Sequence, residues 1–254
     1  MSKSKQDMDV EEFEANLETD DEYVARPRRR QKTKKKLLLK KTTDAKVVVK
    51  VNKFGVHSGD GWTELANYIG VLTRDTMCIL YDDWRKVPED VKENMWNHIL
   101  KLFALTPRSR KQVMSTMGVC LRNFRWSLRN DFIFQHQNDL KMLRLPPAEY
   151  KHIPTDEWRE FVIKSFKAEF KAKSEKGKKM RKKNKYNHRL GSTGYAGLLE
   201  RLEKELGPDV KQIDRADTWL LGRKKKDGGY DDEVKEIAEK IVSVTDFKVH
   251  HALF

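Results

Sequence analysis

From Lys171 to Arg189 the chain reads KAKSEKGKKMRKKNKYNHR, with almost no apolar residue in it. Lysine and arginine are rarely buried without a partner, so this run cannot be core. Any fold the chain adopts must leave it in water and build a core from the sequence on either side. The run is also where charge collects. Residues 164–189 hold twelve Lys/Arg against Glu169 and Glu175, and residues 26–53 hold thirteen against Asp44. An acidic block, residues 1–22, opposes them with nine acids and two lysines. The formal net charge of +14 is therefore concentrated in two segments, and the remainder is close to neutral. Cationic segments of this density are the electrostatic footprint of a polyanion binder.

The chain has 254 residues, of which 38% are hydrophobic and 36% charged. That is core material for folded modules, with solvated segments between and before them. No run of eighteen apolar residues occurs, so no membrane span is expected. The polar, acidic N-terminus has no apolar stretch of the kind a secretory signal needs. Cys78 and Cys120 lie far apart in apolar contexts, which predicts two buried thiols in a reducing compartment.

Apolar periodicity predicts an all-α fold. It consists of two small helical modules joined by a proline-marked linker and a basic helix, behind a disordered charged N-terminus. Residues 1–53 read as an acidic then basic tail. Within it Arg28, Arg29, Arg30, Lys34, Lys35 and Lys36 form a nuclear-import signal or a DNA-contacting arm, and Ala45–Val51 is a candidate short strand. Residues 54–144 read as the first module. Trp62, Leu65, Ala66, Ile69 and Leu72 recur at helical spacing, and Val91, Met95, Ile99 and Leu102 form a second stripe behind Pro88, Glu89 and Asp90. A third helix follows Thr106 and Pro107, with Val113, Met114, Met117, Leu121, Phe124 and Leu128 on its apolar side. Arg122, Arg125 and Arg129, spaced three and four apart, share a face of that helix. This face is either laid on nucleic acid or simply solvated.

Residues 145–189 read as linker and basic helix. Leu145–Pro154 is marked by prolines, and a helix starting at Thr155 or Asp156 carries Trp158, Phe161, Val162, Phe166 and Phe170 before its apolar stripe ends. Gly177 then weakens any continuing helix by ~1 kcal/mol relative to alanine. Lys178, Lys179, Arg181, Lys182, Lys183, Lys185 and Arg189 are the candidate phosphate contacts. Residues 190–254 read as a C-terminal module of three short helices. Gly207-Pro208 closes the first, and the KKKDGGY turn precedes the third, which Asp231 or Asp232 caps.

The glycine-rich GSTGYAG, Gly191–Gly197, is not a nucleotide loop. A P-loop needs a preceding strand and a trailing Lys-Ser/Thr, and both are missing. Ser192 and Thr193 read instead as caps for a helix beginning near Tyr195. A hydrogen bond that fixes this turn is the expected role of His188. Acids are plentiful, but no βαβ pattern places three of them as a two-metal strand-transfer site requires. The Asp82-Asp83 pair reads as a surface turn or cap. No CxxC pair or HExxH occurs, and no metal, cofactor or catalytic residue is assigned.

Two blocks resemble the plant transposase family usually called Ptta/En/Spm, from CACTA-type elements. The first is IGVLTRDTMCILYDDWRKVPEDVKENMWNHILKLFALTPRSRKQVMSTMGVCLRNFRWSL, which is similar to the family's upstream region. In it Leu121 stands where the family pattern has tryptophan, and Trp126 falls outside the pattern. The second runs from KNKYNHRLGSTGYAGL to WLLGRKKKDGGYDDEVKEIAEKI. It is similar to the family's core signature, carried here by Asn184, His188, Gly191, Ser192, Tyr195 and Ala196 and followed by a Lys-x-x-Asp-Gly turn. The resemblance spans about two-thirds of the chain, Trp62 to Val244. It implies a nuclear, transposase-like protein of a plant mobile element. Such elements pair a large catalytic protein with a smaller one that binds repeats near the element ends. A chain of this size resembles the smaller kind, binding duplex DNA through basic segments without catalysing strand transfer itself, with a separate catalytic transposase subunit as a second partner. A basic RNA-binding protein and a protein-interaction scaffold are the alternatives.

Overall fold

A computed structural model describes residues 46–51, 57–191, 194–207 and 213–244. The import signal expected at Arg28–Lys36, and Ser192 with Thr193, lie outside these residues. In chain order the elements are β1 (Val47–Val48), β2 (Lys50–Val51), β3 (His57–Ser58), α1 (Gly59–Thr76), α2 (Glu89–Leu102), β4 (Phe103–Ala104) and α3 (Arg110–Leu128). There follow α4 (Thr155–Phe166), α5 (Ala168–Lys182), α6 (Gly194–Leu206), α7 (Arg215–Leu221) and α8 (Asp232–Val244). The fold is predominantly α. Its strands are two residues long and form two pairs, β1 parallel to β4 and β2 antiparallel to β3. The candidate strand at Ala45–Val51 is therefore two short strands, and Val49 between them is buried. Val47, Val48, Lys50 and Val51 are paired backbone, within the tail expected up to residue 53.

The described residues divide into two compact units, 46–48 with 64–176 and 49–51 and 57–63 with 177–244. In the first, the helical periodicity becomes burial. Leu65, Ile69 and Leu72 of α1, Met95 and Ile99 of α2, and Val113, Met117 and Leu121 of α3 are all buried. Tyr68 is fully buried but keeps its hydroxyl satisfied by His98 Nε2 at 2.7 Å, with the Phe103 ring 5.6 Å away. Buried tyrosines need such a partner for the polar end. Glu89 and Asp90 occupy the first turn of α2, as its dipole favours, while Pro88 is the cap just outside it. Thr106 and Pro107 open a short 3₁₀ turn, Pro107–Ser109, so α3 begins at Arg110, later than the sequence suggests. Gly118 faces the Trp84 ring so closely that a Cβ there would lie 3.0 Å from Trp84 Cγ.

One hydrophobic cluster joins Ile79, Phe124, Leu128, Phe132 and Ile133 with Leu143, Tyr150, Ile153, Trp158, Phe161, Val162 and Phe166. Leu145–Pro154 therefore contributes to core and is not an open linker. The prolines flank Tyr150 and Ile153, which are apolar enough to be drawn into the cluster. Trp158 Nε1 donates to the Leu143 carbonyl at 2.8 Å, and His152 Nε2 donates to the Arg74 carbonyl at 2.9 Å, tying the segment at both ends. Glu157 Oε1 accepts from the Ile79 N–H. Cys78 and Cys120 are free and half-buried, and burial pushes both thiols up.

In the second unit, Val51 pairs with His57, whose buried ring stacks on Trp62 at 5.0 Å. The Gly59 N–H donates to Glu200 Oε2 of α6 at 3.1 Å. Leu198 and Leu202 are the buried residues of α6. Seven-residue α7 is held by a reciprocal capping box. Asp214 accepts from the Asp217 N–H at 2.8 Å, and Asp217 accepts from the Asp214 N–H at 3.1 Å. Its Leu220 packs with Val234 and Ala238 of α8, ringed by Trp219, Tyr230 and Ile241.

Candidate nucleic-acid interface

The cationic run becomes α5 and the extended chain after it. Lys167 breaks the helix that the sequence suggested was continuous, because its backbone turns extended at φ −57°, ψ 142°. A new helix then starts with Glu169 in its first turn and Lys179, Arg181 and Lys182 in its last. That charge order complements the helix dipole at both ends. Ala, Lys, Glu, Arg and Met are also strong helix formers, so α5 is helical without burying a single residue. Lys178, Lys179, Arg181, Lys182, Lys183 and Lys185 are all exposed. Among the described residues, no ion pair engages Lys179, Arg181, Lys182, Lys183 or Lys185.

Arg189 differs from the other cations of the run. Its Nη2 donates to Asp231 Oδ1 at 2.6 Å and to Oδ2 at 2.8 Å, and its backbone N–H donates to the Gly222 carbonyl at 2.6 Å. The Asp231 carboxyl is held below the usual carboxylate range by this hydrogen bond and by the charges of Arg189 and Lys225. Asp231 precedes α8, and its carbonyl accepts from the Val234 and Lys235 N–H groups. Arg189 thus docks the end of the cationic run against the start of α8.

The three arginines separate, with Arg122 and Arg125 on α3 and Arg129 opening the π-helical turn Arg129–Ile133 that follows it. Arg122 is exposed, Arg125 is half-buried, and Arg129 keeps 7% of its surface. Arg129 lies 4.2 Å from the ring centroids of both Phe161 and Phe170, and its Nε donates to Ser165 Oγ at 2.9 Å. Burial, and the like charge of Arg125, pull its guanidinium down to about 9. This side chain is spent on packing α4 and the start of α5, so only Arg122 of the three presents an open cation on the outer face. Trp126, one turn from Arg122, is 64% exposed, whereas Leu121 is buried.

The described signature residues lie in the second unit, and two of them, His188 and Tyr195, touch. The His188 and Tyr195 rings pack edge to face at 5.7 Å. Gly191 takes the left-handed backbone, φ +61°, that the turn requires. Asn184 accepts at its carbonyl from Asn187 Nδ2 at 3.2 Å, and Ala196 is half-buried in α6. Arg223, which the sequence pattern did not single out, ties Tyr195 to Tyr186 and Trp219. Its guanidinium lies 4.0 Å over Trp219, Nη1 donates to Tyr195 Oη at 2.7 Å, and Nε donates to the Tyr186 carbonyl at 3.2 Å. A Cβ on Gly222 would come within 3.1 Å of Tyr195 Cε1 and 3.3 Å of Leu190 Cδ1, so glycine is needed for that close approach. The signal in the sequence was Trp219 and Arg223 four apart, a spacing that brings two side chains together on a helix.

Asp83 caps the short Trp84–Lys86 turn and forks onto Arg85, which lowers its carboxyl, while Asp82 pairs with Lys86 at 3.0 Å. Among the described residues no three His, Cys, Asp or Glu side chains gather as a metal site does, and no helix is long and apolar enough to cross a membrane. Comparison with known proteins gives one family. Residues 154–247 match the family described as plant transposase (Ptta/En/Spm family). This match covers the second of the two resembling blocks and leaves the upstream block outside it. Neither the curated proteins nor the solved structures contain a match to this chain.

Proposed function

Starting from a chain that is transposase-like over residues 154–247, we propose that it is a nuclear DNA-binding protein of a plant mobile element. It holds duplex DNA through its basic segments and leaves strand transfer to a separate catalytic subunit. The observation that carries this reading is the solvated cationic run of α5 and the chain after it. Five of its cations, Lys179, Arg181, Lys182, Lys183 and Lys185, have no acidic partner among the described residues. A helix that buries nothing gains little from packing, so its charge is available to phosphates. Arg122 adds a further cation on α3, and the basic arm containing Arg28–Arg30 and Lys34–Lys36 supplies import and non-specific attraction.

The test is selection from random duplex DNA at two salt concentrations, followed by titration of the recovered sequences. Neutralising about six phosphates gives a slope of log K against log salt near −5. A salt-insensitive complex, or displacement of duplex by structured RNA at equal concentration, overturns the reading. The same DNA incubated with magnesium and the isolated chain should remain intact, and metal-dependent cleavage would remove the non-catalytic part of the proposal.

A further inference from the structure

We infer that Tyr186, His188 and Tyr195 form a stacking site for the bases of an unpaired DNA strand, adjoining the cations that hold the phosphates. The inference deepens the DNA-binding reading and rests on it for the role of the cations. Tyr186 retains 39% and Tyr195 36% of its surface, and His188 is exposed. None of the three is among the buried residues of this unit, such as Leu198, Leu202, Leu220, Val234 and Ala238. Yet they are not loose. Arg223 binds the Tyr186 carbonyl and the Tyr195 hydroxyl at once while lying on Trp219, and the Tyr186 ring leans on Trp219 at 6.5 Å. Tyr195 is held at its hydroxyl, Tyr186 at its carbonyl and against Trp219, and His188 against the Tyr195 ring, while all three stay exposed, so less side-chain entropy is lost when a flat ligand covers them.

The flanking charge decides which flat ligand this is. Lys185 directly precedes Tyr186 and Lys183 lies three residues before it, both unpaired among the described residues, so a polyanion brings its bases to these rings. Bases inside a duplex already stack on one another and offer the protein only edges and phosphates. Exposed aromatic rings gain from nucleic acid when bases are unpaired, and rings beside a basic track are the common arrangement in single-strand binders. Duplex is then held by the cations alone, and an unpaired stretch by cations and rings together.

The experiment compares three labelled probes against the full chain: an oligo-dT strand, a blunt duplex of equal length, and that duplex with an oligo-dT extension. Stacking of one base is worth about 1–3 kcal/mol, so the extended duplex should bind about tenfold tighter than the blunt one. Tyr186→Ala should abolish that preference and leave blunt-duplex affinity unchanged. Tyr186→Phe should keep the preference, because only the Tyr186 carbonyl is used by Arg223. Equal binding of the extended and blunt probes, or equal loss on both with Tyr186→Ala, overturns the inference. If the blunt duplex fails to bind but oligo-dT binds in a Tyr186-dependent way, the duplex reading falls and the stacking site stands. If the duplex binds and the extension adds nothing, the reverse holds.

Discussion

Arg122 on α3 and Arg129 in the π-helical turn just after it lie two helical turns apart, and their side chains have opposite uses. Arg129 is wedged between Phe161 and Phe170 and bonded to Ser165. A desolvated cation–π contact is worth about 2 kcal/mol, and truncation also leaves a void. Arg129→Ala should therefore cost about 2 kcal/mol or more, seen as a lower urea midpoint. Its DNA salt slope should be unchanged. Arg122→Gln should do the reverse, reducing the slope by about one and leaving stability within about 0.5 kcal/mol. If the two variants behaved alike in either measurement, the division drawn between them would be wrong. The spacing of the arginines was legible in sequence, but their division was not. Residues seven apart share a face, and nothing local reports that α4 covers only the last turn of that face.

Among the described residues helix α5 draws little stability from packing. It buries no residue, and isolated helices of about fifteen residues are marginal in water. Its anchor within the first unit is Phe170, against Arg129 and, at 6.3 Å, Phe134. Gly177 lies inside it, and a Cβ there would meet nothing within 4 Å beyond its chain neighbours and the helix's own backbone. Gly177→Ala should thus stabilise the helix by about 1 kcal/mol without a clash. Far-UV circular dichroism on warming should show the helical signal retained to higher temperature. A lower melting temperature would mean that the position is constrained by something other than propensity. The short α7 is the contrasting case. It is only seven residues long but is closed by the Asp214–Asp217 box and buries Leu220.

For the whole molecule the distribution of charge matters more than its sum. The net +14 sits on an acidic block, a basic arm and the run through α5. Replacing Lys178, Lys179, Lys182 and Lys183 by glutamine should lower the salt slope by about three to four, roughly uniformly across DNA sequences. Unfolding should be little affected, since all four side chains are exposed. An unchanged slope would move the DNA contact to the other basic segment. Below pH about 4, protonation of carboxylates such as Asp231 weakens folded-state pairs. The folded carboxyl is lowered, so its contribution is present above its unfolded pKa and lost as pH falls through the folded value.

By itself the sequence determined which stretches are helical and which must stay in water. Apolar residues at 3.6 spacing specify α1 to α4. The charge order from Glu169 to Lys182 specifies α5, and the absence of apolar residues keeps that run out of any core. These are local properties, decided over a few turns of chain. The tertiary structure alone decided which polar groups face each other. Arg189 meets Asp231 forty-two residues on, Arg223 gathers Tyr186 and Tyr195, and the Pro-flanked segment enters the core through Tyr150 and Ile153. Helical periodicity gives each side chain a direction but no partner. Partners are selected by which surfaces come together when apolar area is buried, and that choice is made across the whole unit.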